Sequence, residues 1–353
     1  MESVHATELP PVKLDHLQAL TDDTGILQHA KYSIPNRSEG YTTDDNARAL
    51  IACIKYRQLF GNSETEKLID LYMAFLLHMQ RSDGKFHNLL GYERQFQDEV
   101  GSEDCMGRAL WACGYAMNSS VPDGKKRLSK EIFDKGFEWV NTFNSLRAKA
   151  YALLGLQHYR RVFPDDENLA RNTKTLTDQL YEAFQRASSP NWHWFEPYLT
   201  YANARLPQTL FEVYATTKHV ASLTIGEKSF TFLIQDQIRD GILFPIGNDG
   251  FYVKRANRAF YDQQPLEASC LVDAATAALR VTGDERYLMT ANTAFNWFLG
   301  TNSQNVTVYD SRTGGCYDGI TPHGLNLNLG AESTISYLLA RLELEGLQLV
   351  GTP

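Results

Sequence analysis

Apolar residues recur at helical spacing along most of the chain, and the helices they predict are of two alternating kinds. One kind is rich in Ala, Leu, Gly and Cys and carries little charge after its first turn, as in "DNARALIACIKYRQLF" and "EDCMGRALWACGYAM". The other kind has charged residues along one side, as in "ETEKLIDLYMAFLLHM" and "LSKEIFDKGFEWVNTF". The pattern therefore predicts pairs made of a buried inner helix and a half-exposed outer helix.

The predicted inner helices recur at a fairly regular interval. They begin near residues 45, 104, 147, 203, 264 and 331, with a mean period of about 57 residues that indicates a repeat architecture. With a helix from "KLDHLQAL" counted first, the chain has six inner and six outer helices. This predicts an all-α fold, an (α/α)6 toroid, in a single domain over residues 1–353. Short strands are predicted in "GILFPIGNDGFYVKRAN" and "NVTVYDSRTGGCYDG".

Polar, aromatic or Gly-rich segments precede the predicted inner helices. They are "YTTDDNAR", "GSEDCMGR", "NWHWFEPYLTYANAR", "FYDQQPLEAS" and "GGCYDGITPHGLNLNLGAES". In an alternating ring all inner helices run in the same direction, so their N-termini meet at one mouth. Free N–H groups and the helix dipole also favour anionic groups there. We therefore expect these segments to form one ligand-binding funnel.

Two of the helix entries carry paired acids, Asp44 with Asp45 and Glu103 with Asp104. Acids at these positions usually cap a helix, but a cap needs only one. An arginine also follows four residues after Asp44 and after Asp104, and an arginine on an apolar helix needs a carboxylate partner. We expect one acid of each pair to be structural and the other to face the funnel. The sequence does not say which is which.

Other residues of the entry segments suit a sugar ligand, because aromatic rings stack on sugars while amides and carboxylates bind hydroxyl groups. The alternative is that the aromatic residues pack in a loop and that the histidines are structural. The predicted substrate-binding residues are Asp44, His29, Tyr41, Trp192, Trp194, Tyr201, Asn203, Asp262, Gln263, Gln264, Asp318 and His323. Glu267 and Glu332 add hydrogen-bonding capacity at the last two inner helices.

Composition and charge limit the kinds of molecule that the protein is expected to bind. The formal charge of −8 argues against nucleic acid, and no apolar run is long enough for a membrane span. The five cysteines lack CxxC spacing, which favours a reducing compartment, and no motif indicates a zinc site or another cofactor. The N-terminal segment lacks the pattern of a signal peptide, so we expect a cytoplasmic protein. Homo-oligomer formation is left open.

Several segments resemble a known bacterial family. They are "TDDTGILQHAKYSIPNRSEGYTTDDNARAL", "WFEPYLTYANARLP", "DQQPLEAS" and "YDGITPHGLNLNLGAES". The family lies in the six-hairpin glycosidase superfamily; its members are often labelled glycosyltransferases because the domain also occurs behind a transferase module, and its genes tend to lie near mannoside phosphorylases. The resemblance covers essentially the whole chain. This chain has no Gly-rich nucleotide-binding loop or parallel-sheet pattern, so the transferase label has little support.

The resemblance implies catalytic acids at the inner-helix entries, namely Asp45 and Asp104, with Glu103 and Glu196 as alternatives. Our hypothesis is a glycoside hydrolase that acts on a short, mannose-containing oligosaccharide through a carboxylate acid and base. A funnel built from separate helix entries favours the wider carboxylate spacing of roughly 6.5–9.5 Å, and hence inversion. The alternatives are a sugar epimerase, a non-catalytic carbohydrate-binding module and, least supported, a terpenoid-type toroid.

Overall fold

Helices dominate the computed structural model, which describes residues 9–61 and 64–351. The segment before Leu9, on which the prediction about a signal peptide depends, lies outside the described residues. The described chain forms twelve α-helices: α1 (Asp15–Leu20), α2 (Thr43–Phe60), α3 (Glu66–Met79), α4 (Glu103–Met117), α5 (Asp123–Phe137), α6 (Leu146–Val162), α7 (Glu167–Ala187), α8 (Arg205–Thr217), α9 (Val220–Gln237), α10 (Pro265–Thr282), α11 (Arg286–Asn296) and α12 (Ala331–Gly351). Two 3-10 turns lie at Arg37–Glu39 and Val140–Thr142.

The even-numbered helices form a closed inner ring. Each packs against the next in the order α2, α4, α6, α8, α10 and α12, and α12 returns to pack against α2. The odd-numbered helices from α3 to α11 each pack outside the inner helix that precedes them, and α1 packs against α12. The predicted (α/α)6 toroid of six helical hairpins is therefore confirmed.

Short antiparallel strand pairs connect the helices. The strands are β1 (Ala30–Lys31), β2 (Ile34–Pro35), β3 (Tyr41–Thr42), β4 (Leu89–Leu90), β5 (Tyr198–Leu199), β6 (Ile238–Arg239), β7 (Ile242–Leu243), β8 (Tyr252–Val253), β9 (Tyr309–Asp310), β10 (Gly315–Cys316), β11 (Gly319–Thr321) and β12 (Gly324–Asn326). They pair as β1–β2, β3–β4, β5–β8, β6–β7, β9–β10 and β11–β12. Strands occur in both segments where the sequence predicts them.

Local sequence sets where the inner helices begin. Hydroxyl groups cap three of them: Thr42 accepts a hydrogen bond from the Asp45 N–H, and Ser102 and Ser145 serve α4 and α6 in the same way. The fifth inner helix, α10, begins at Pro265, whose fixed φ suits a first helical position. These caps place the acids that follow them in the first turn, at the mouth of the ring.

Small residues let neighbouring inner helices approach closely. Gly114 of α4 faces Gly155 of α6, and a side chain on either glycine would meet the backbone of the other helix. All five cysteines are buried and free, so each acts as a small apolar residue of the core. Tight packing of this kind holds the first turns of adjacent inner helices within reach of each other's side chains.

Candidate active site

The site is built from the first two turns of the inner helices, where arginines and carboxylates bridge neighbouring helices around the ring. Arg48 of α2 pairs with Glu332 of α12, and Arg108 of α4 pairs with Asp44 of α2. Arg147 of α6 is held by residues that precede α8. The polar groups predicted to converge on one mouth therefore do so, although their partners lie on neighbouring helices.

Asp45 faces the helix start and Arg48. Its Oδ1 is 2.7 Å from Arg48 Nη2, and its Oδ2 accepts a hydrogen bond of 2.7 Å from the Thr42 hydroxyl. The residue is only 5% exposed. Both carboxylate oxygens are thus engaged, and Arg48 completes its contacts with Glu332 at 3.0 Å. These contacts give Asp45 the role of ordering Arg48 and the start of α2.

Asp44 has one oxygen bound and one unbound. Its Oδ2 is 2.9 Å from Arg108 Nη1, whereas its Oδ1 is buried without a hydrogen-bond partner. Arg108 is further held by Tyr151, whose ring centroid lies 4.7 Å from the guanidinium carbon. The negative charges of Asp104 and Glu332 also act on Arg108. Three carboxylates from three helices therefore surround one guanidinium.

Asp104 lies between α4 and α6 at the same mouth. Its Oδ1 accepts 2.8 Å from the Ser145 hydroxyl, and its Oδ2 accepts 2.8 Å from the Tyr201 hydroxyl. Burial, followed by the nearby Asp104 charge, raises the pKa of Tyr201 above its usual range. Tyr201 thus stays a hydrogen-bond donor, and Asp104 is held in a fixed orientation.

Glu103, the neighbour of Asp104, caps the adjacent inner helix. Its Oε2 accepts hydrogen bonds of 2.7 Å from the backbone N–H groups of both Asn144 and Ser145, directly before α6. Its Oε1 accepts 3.4 Å from the Asn144 side chain. The two acids of this entry therefore divide their roles, with Glu103 bound to backbone and Asp104 bound to side chains.

Glu196 and Asn203 surround Arg147, which sequence reasoning did not select. Arg147 Nη1 lies 2.8 Å from Glu196 Oε2, and its Nε donates 2.5 Å to the Tyr201 carbonyl. Asn203 is fully buried and accepts from Arg147 Nη2 at 3.3 Å. Its position in the sequence could have identified it, because Arg147 stands in the first turn of an inner helix. Arg48 and Arg108 also lie near the starts of their inner helices.

Glu267 of α10 binds the segment before α8 that contains Tyr201 and Asn203. It accepts hydrogen bonds from the Ala202 N–H and, at 2.9 Å, from the Asn203 side-chain amide. Burial raises the pKa of Glu267 from 4.5 to about 7, against the opposing effect of these hydrogen bonds. Glu267 therefore fixes the backbone that carries Tyr201 to Asp104.

At the last inner helix, Asp318 binds the helix start. Its Oδ1 accepts from the Gly330 N–H at 2.8 Å and from the Ser333 hydroxyl at 2.7 Å. Burial raises the pKa of Asp318, while the hydrogen bonds from Ser333 and Gly330 oppose that rise. His29 is exposed beside this helix, and His323 is exposed at the turn of the β11–β12 hairpin.

Four further predicted substrate-binding residues, like Asn203, have their side chains covered by protein. Trp194 is fully buried and Trp192 is 3% exposed, and both pack against Phe232. Tyr41 is 1% exposed and donates 2.6 Å to Asp22. The Gln263 side chain, also buried, accepts from the Trp297 indole at 3.1 Å. These residues pack beneath the mouth, whereas Asp262 and Gln264 remain partly exposed at the entry to α10.

A cleft of about 920 Å³ adjoins Asp104. Ser145 and Tyr201, both bonded to Asp104, line it, as do Arg147 and Glu196. Tyr198, 39% exposed, adds an aromatic face to the wall. The cleft is wide enough for more than one sugar ring, since ligand pockets commonly measure about 300–1,000 Å³.

Two features are absent from residues 9–61 and 64–351. No group of three or more His, Cys, Asp and Glu side chains there is arranged to hold a metal ion. No helix in that part of the chain has both the length and the apolar character required to cross a membrane.

Several solved structures share the fold of this ring. Cellobiose 2-epimerase from Bacillus thermoamylovorans matches with a TM-score of 0.73 and 13% identity, over 95% of this chain and 96% of its own. A sugar epimerase from a ruminal bacterium matches with a TM-score of 0.75 and 12% identity, over 97% of each chain. The chain has the fold of the six-hairpin glycosidase superfamily. At these identities the likeness concerns the fold alone.

An α-1,6-mannanase from a Salegentibacter species has the same fold. It matches with a TM-score of 0.66 and 11% identity, over 94% of this chain and 96% of its own. That structure is an inactive variant with two consecutive aspartates replaced by alanine, in complex with α-1,6-mannotetrose. No protein-family model matches the sequence, and no curated protein sequence matches it either.

Proposed function

We propose that the protein is a glycoside hydrolase that cleaves a short, mannose-containing oligosaccharide at the mouth of the inner ring. The observation that carries this proposal is the Asp44 carboxylate, whose Oδ1 is buried without a hydrogen-bond partner while Oδ2 is fixed by Arg108. Buried polar atoms in native proteins are nearly always hydrogen-bonded. An unpaired carboxylate oxygen beside other carboxylates is therefore a group that a water or a substrate hydroxyl would complete.

The reacting pair we assign is Asp44 and Asp104. Asp44, whose Oδ2 is held by Arg108, would accept a proton from water through Oδ1. Asp104, which is hydrogen-bonded to the cleft-lining residues Ser145 and Tyr201, would supply the proton to the glycosidic oxygen. The two acids stand on different helices, which favours the wider spacing of an inverting enzyme.

Three of the predicted catalytic candidates receive other roles in this proposal. Asp45 positions Arg48, because its Oδ1 pairs with that buried guanidinium and its Oδ2 holds the Thr42 hydroxyl at the start of the same helix. Glu103 caps α6. Glu196, bound to Arg147 on the cleft wall, contributes to substrate binding.

A sugar epimerase is the second candidate, because the two epimerases above match the fold with higher TM-scores than the mannanase. An epimerase moves a proton at carbon and would use histidines as acid and base. The first turns of the six inner helices, all of which the structure describes, contain no histidine, although His193 and His323 stand in the segments that precede two of them. The paired aspartates at the mouth and the consecutive aspartates replaced in the inactive mannanase both favour the hydrolase.

The test is a product screen of the purified protein on manno- and gluco-oligosaccharides, with and without phosphate, read by mass spectrometry and by chromatography of isomers. We expect release of reducing sugar without phosphate and inversion at the anomeric carbon. Conversion without a change of mass would identify an epimerase instead. If every oligosaccharide stays intact while one raises the melting temperature, the protein is a carbohydrate-binding module and the hydrolase proposal fails.

A further inference from the structure

The cleft beside Asp104 carries positive charge in an acidic protein. Three cations, Arg147, Arg186 and Lys254, line it together with one carboxylate, Glu196. Glu196 is paired with Arg147 at 2.8 Å, which leaves the other two cations without a neutralising acid on the wall. Because the whole chain has a formal charge of −8, this local excess is opposite in sign to that of the protein.

Arg186 stands at the end of α7 with an exposed side chain. Within the described chain it makes no ion pair and no side-chain hydrogen bond. Lys254 donates 2.9 Å to the carbonyl of Ala187, the residue that follows Arg186, and has no carboxylate partner among the described residues. Two cations with donors to spare therefore face one cavity from two different segments.

A fourth cation stands behind the wall. Lys149, in the first turn of α6, is 9% exposed. Burial lowers the pKa of Lys149, and repulsion from Arg186 adds to this against the attraction of Glu103. On the cleft wall itself the one carboxylate, Glu196, is taken by Arg147, so an anionic ligand would be the partner of Arg186 and Lys254.

We propose that this cleft binds an oxyanion group, a phosphate ester or a carboxylate, carried by the sugar substrate. Arg186 and Lys254 would hold the oxyanion, since guanidinium and ammonium donors form charge-assisted hydrogen bonds with such groups. Tyr201 and Ser145 line the same cleft and contact Asp104, so an oxyanion held there places the neighbouring sugar at the reacting acids. The inference deepens the proposed function and rests on it for the identity of the sugar.

The test is calorimetric titration of the whole protein with mannose 6-phosphate, glucuronate, neutral mannose and inorganic phosphate. We expect at least one of the anionic sugars to bind about tenfold or more tightly than mannose, as a hydrogen bond to a charged group implies. Arg186→Gln should abolish this advantage. Arg171→Gln is the matched control, because Arg171 is an exposed arginine near the other end of the same helix, about 22 Å away by helical rise.

Each outcome decides the inference. A preference for mannose 6-phosphate or for glucuronate that Arg186→Gln removes supports it and tells the phosphate source from the carboxylate source. Equal binding of neutral and anionic sugars, equal effects of the two arginine variants, or binding of inorganic phosphate as tight as that of the sugar phosphate would each overturn it. Hydrolysis of neutral oligosaccharides without any anionic preference overturns this inference but leaves the proposed function standing. If an anionic sugar binds in a way that depends on Arg186 and no oligosaccharide is hydrolysed, this inference stands and the proposed function fails.

Discussion

Arg108 of α4 forms its ion pair with Asp44 of α2, at 2.9 Å, and not with Asp104 four residues earlier on its own helix. The reason is that Asp104 is already bound by Ser145 and Tyr201 from the next hairpins. Asp44 and Asp104 are therefore each oriented by residues of a neighbouring hairpin. A ring held in this way fixes its carboxylates before a ligand arrives, as catalysis by positioned groups requires.

Replacement of Asp44 by Asn is expected to abolish turnover while the protein remains folded. The unpaired Oδ1 belongs to this residue, and an amide cannot accept a proton from water at neutral pH. We expect hydrolysis to fall at least about a thousandfold and the free energy of unfolding to fall by roughly 3 kcal/mol, because the buried Arg108 loses its ion-pair partner. Asp165→Asn, in the exposed α6–α7 connection, is the control.

Replacement of Asp45 by Asn tests the other half of the pair. Arg48 is almost fully buried and would retain only Glu332 as a charged partner. We expect a loss of roughly 3 kcal/mol in unfolding free energy, measured by denaturant titration, because a buried charge loses its nearest partner. If Asp45→Asn is as stable as the parent and inactive, while Asp44→Asn is active, the two roles are the reverse of those assigned here.

The helical ring was predictable because its signal is repeated along the sequence. The six predicted inner-helix starts fall within two residues of the observed ones, with the largest offsets at Thr43 and Arg205. Caps such as Ser102 and Ser145 and the proline at Pro265 mark these starts locally. Spacing, caps and composition of the segments agree with one another, which is why the architecture follows from one sequence.

The pairings at the mouth were not predictable, because they join residues distant in sequence. Tyr201 reaches Asp104 across 97 positions, and Arg48 reaches Glu332 across 284. Sequence spacing also could not show that Trp194 is fully covered. An aromatic residue before an inner helix fits a sugar platform and a packed loop equally well. Only the burial of the aromatic side chain in the folded protein distinguishes these two roles.

Glu103 offers a prediction that separates capping from catalysis. Glu103→Ala removes the acceptor of two backbone N–H groups, so we expect the unfolding free energy to fall by about 1–3 kcal/mol. Glu103→Gln retains an acceptor and should recover most of the stability and all of the turnover. A catalytic acid would not tolerate the amide, so an inactive but stable Glu103→Gln would refute the capping role. Glu131→Ala, on the exposed side of α5, serves as the control.

Trp194 and Tyr198 form a matched pair of aromatic residues on the same segment. Trp194 is fully buried, so Trp194→Leu should cost about 3 kcal/mol of stability and leave sugar affinity unchanged. Tyr198 is 39% exposed on the cleft wall, so Tyr198→Leu should weaken sugar binding with little change in melting temperature. Calorimetric titration and thermal melts of both variants check the prediction. If only Trp194→Leu weakens sugar binding, the prediction is wrong and Trp194 is the residue that stacks on the sugar.

Glu267 should make stability depend on pH. Its pKa is about 7 in the folded protein against an ordinary value of 4.5, so folding favours the protonated form. The sign follows from linkage: its contribution is fully present below pH 4.5, declines as the pH rises towards 7, and is absent above that. The decline amounts to at most about 3 kcal/mol of unfolding free energy.

Glu267→Gln, which stays neutral, should remove this dependence of stability on pH, whereas Glu285→Gln on the exposed surface should retain it. Denaturant titrations between pH 4.5 and 8 measure the difference. Parallel curves for the parent and Glu267→Gln would mean that Glu267 folds in its charged form, held by the Ala202 and Asn203 donors.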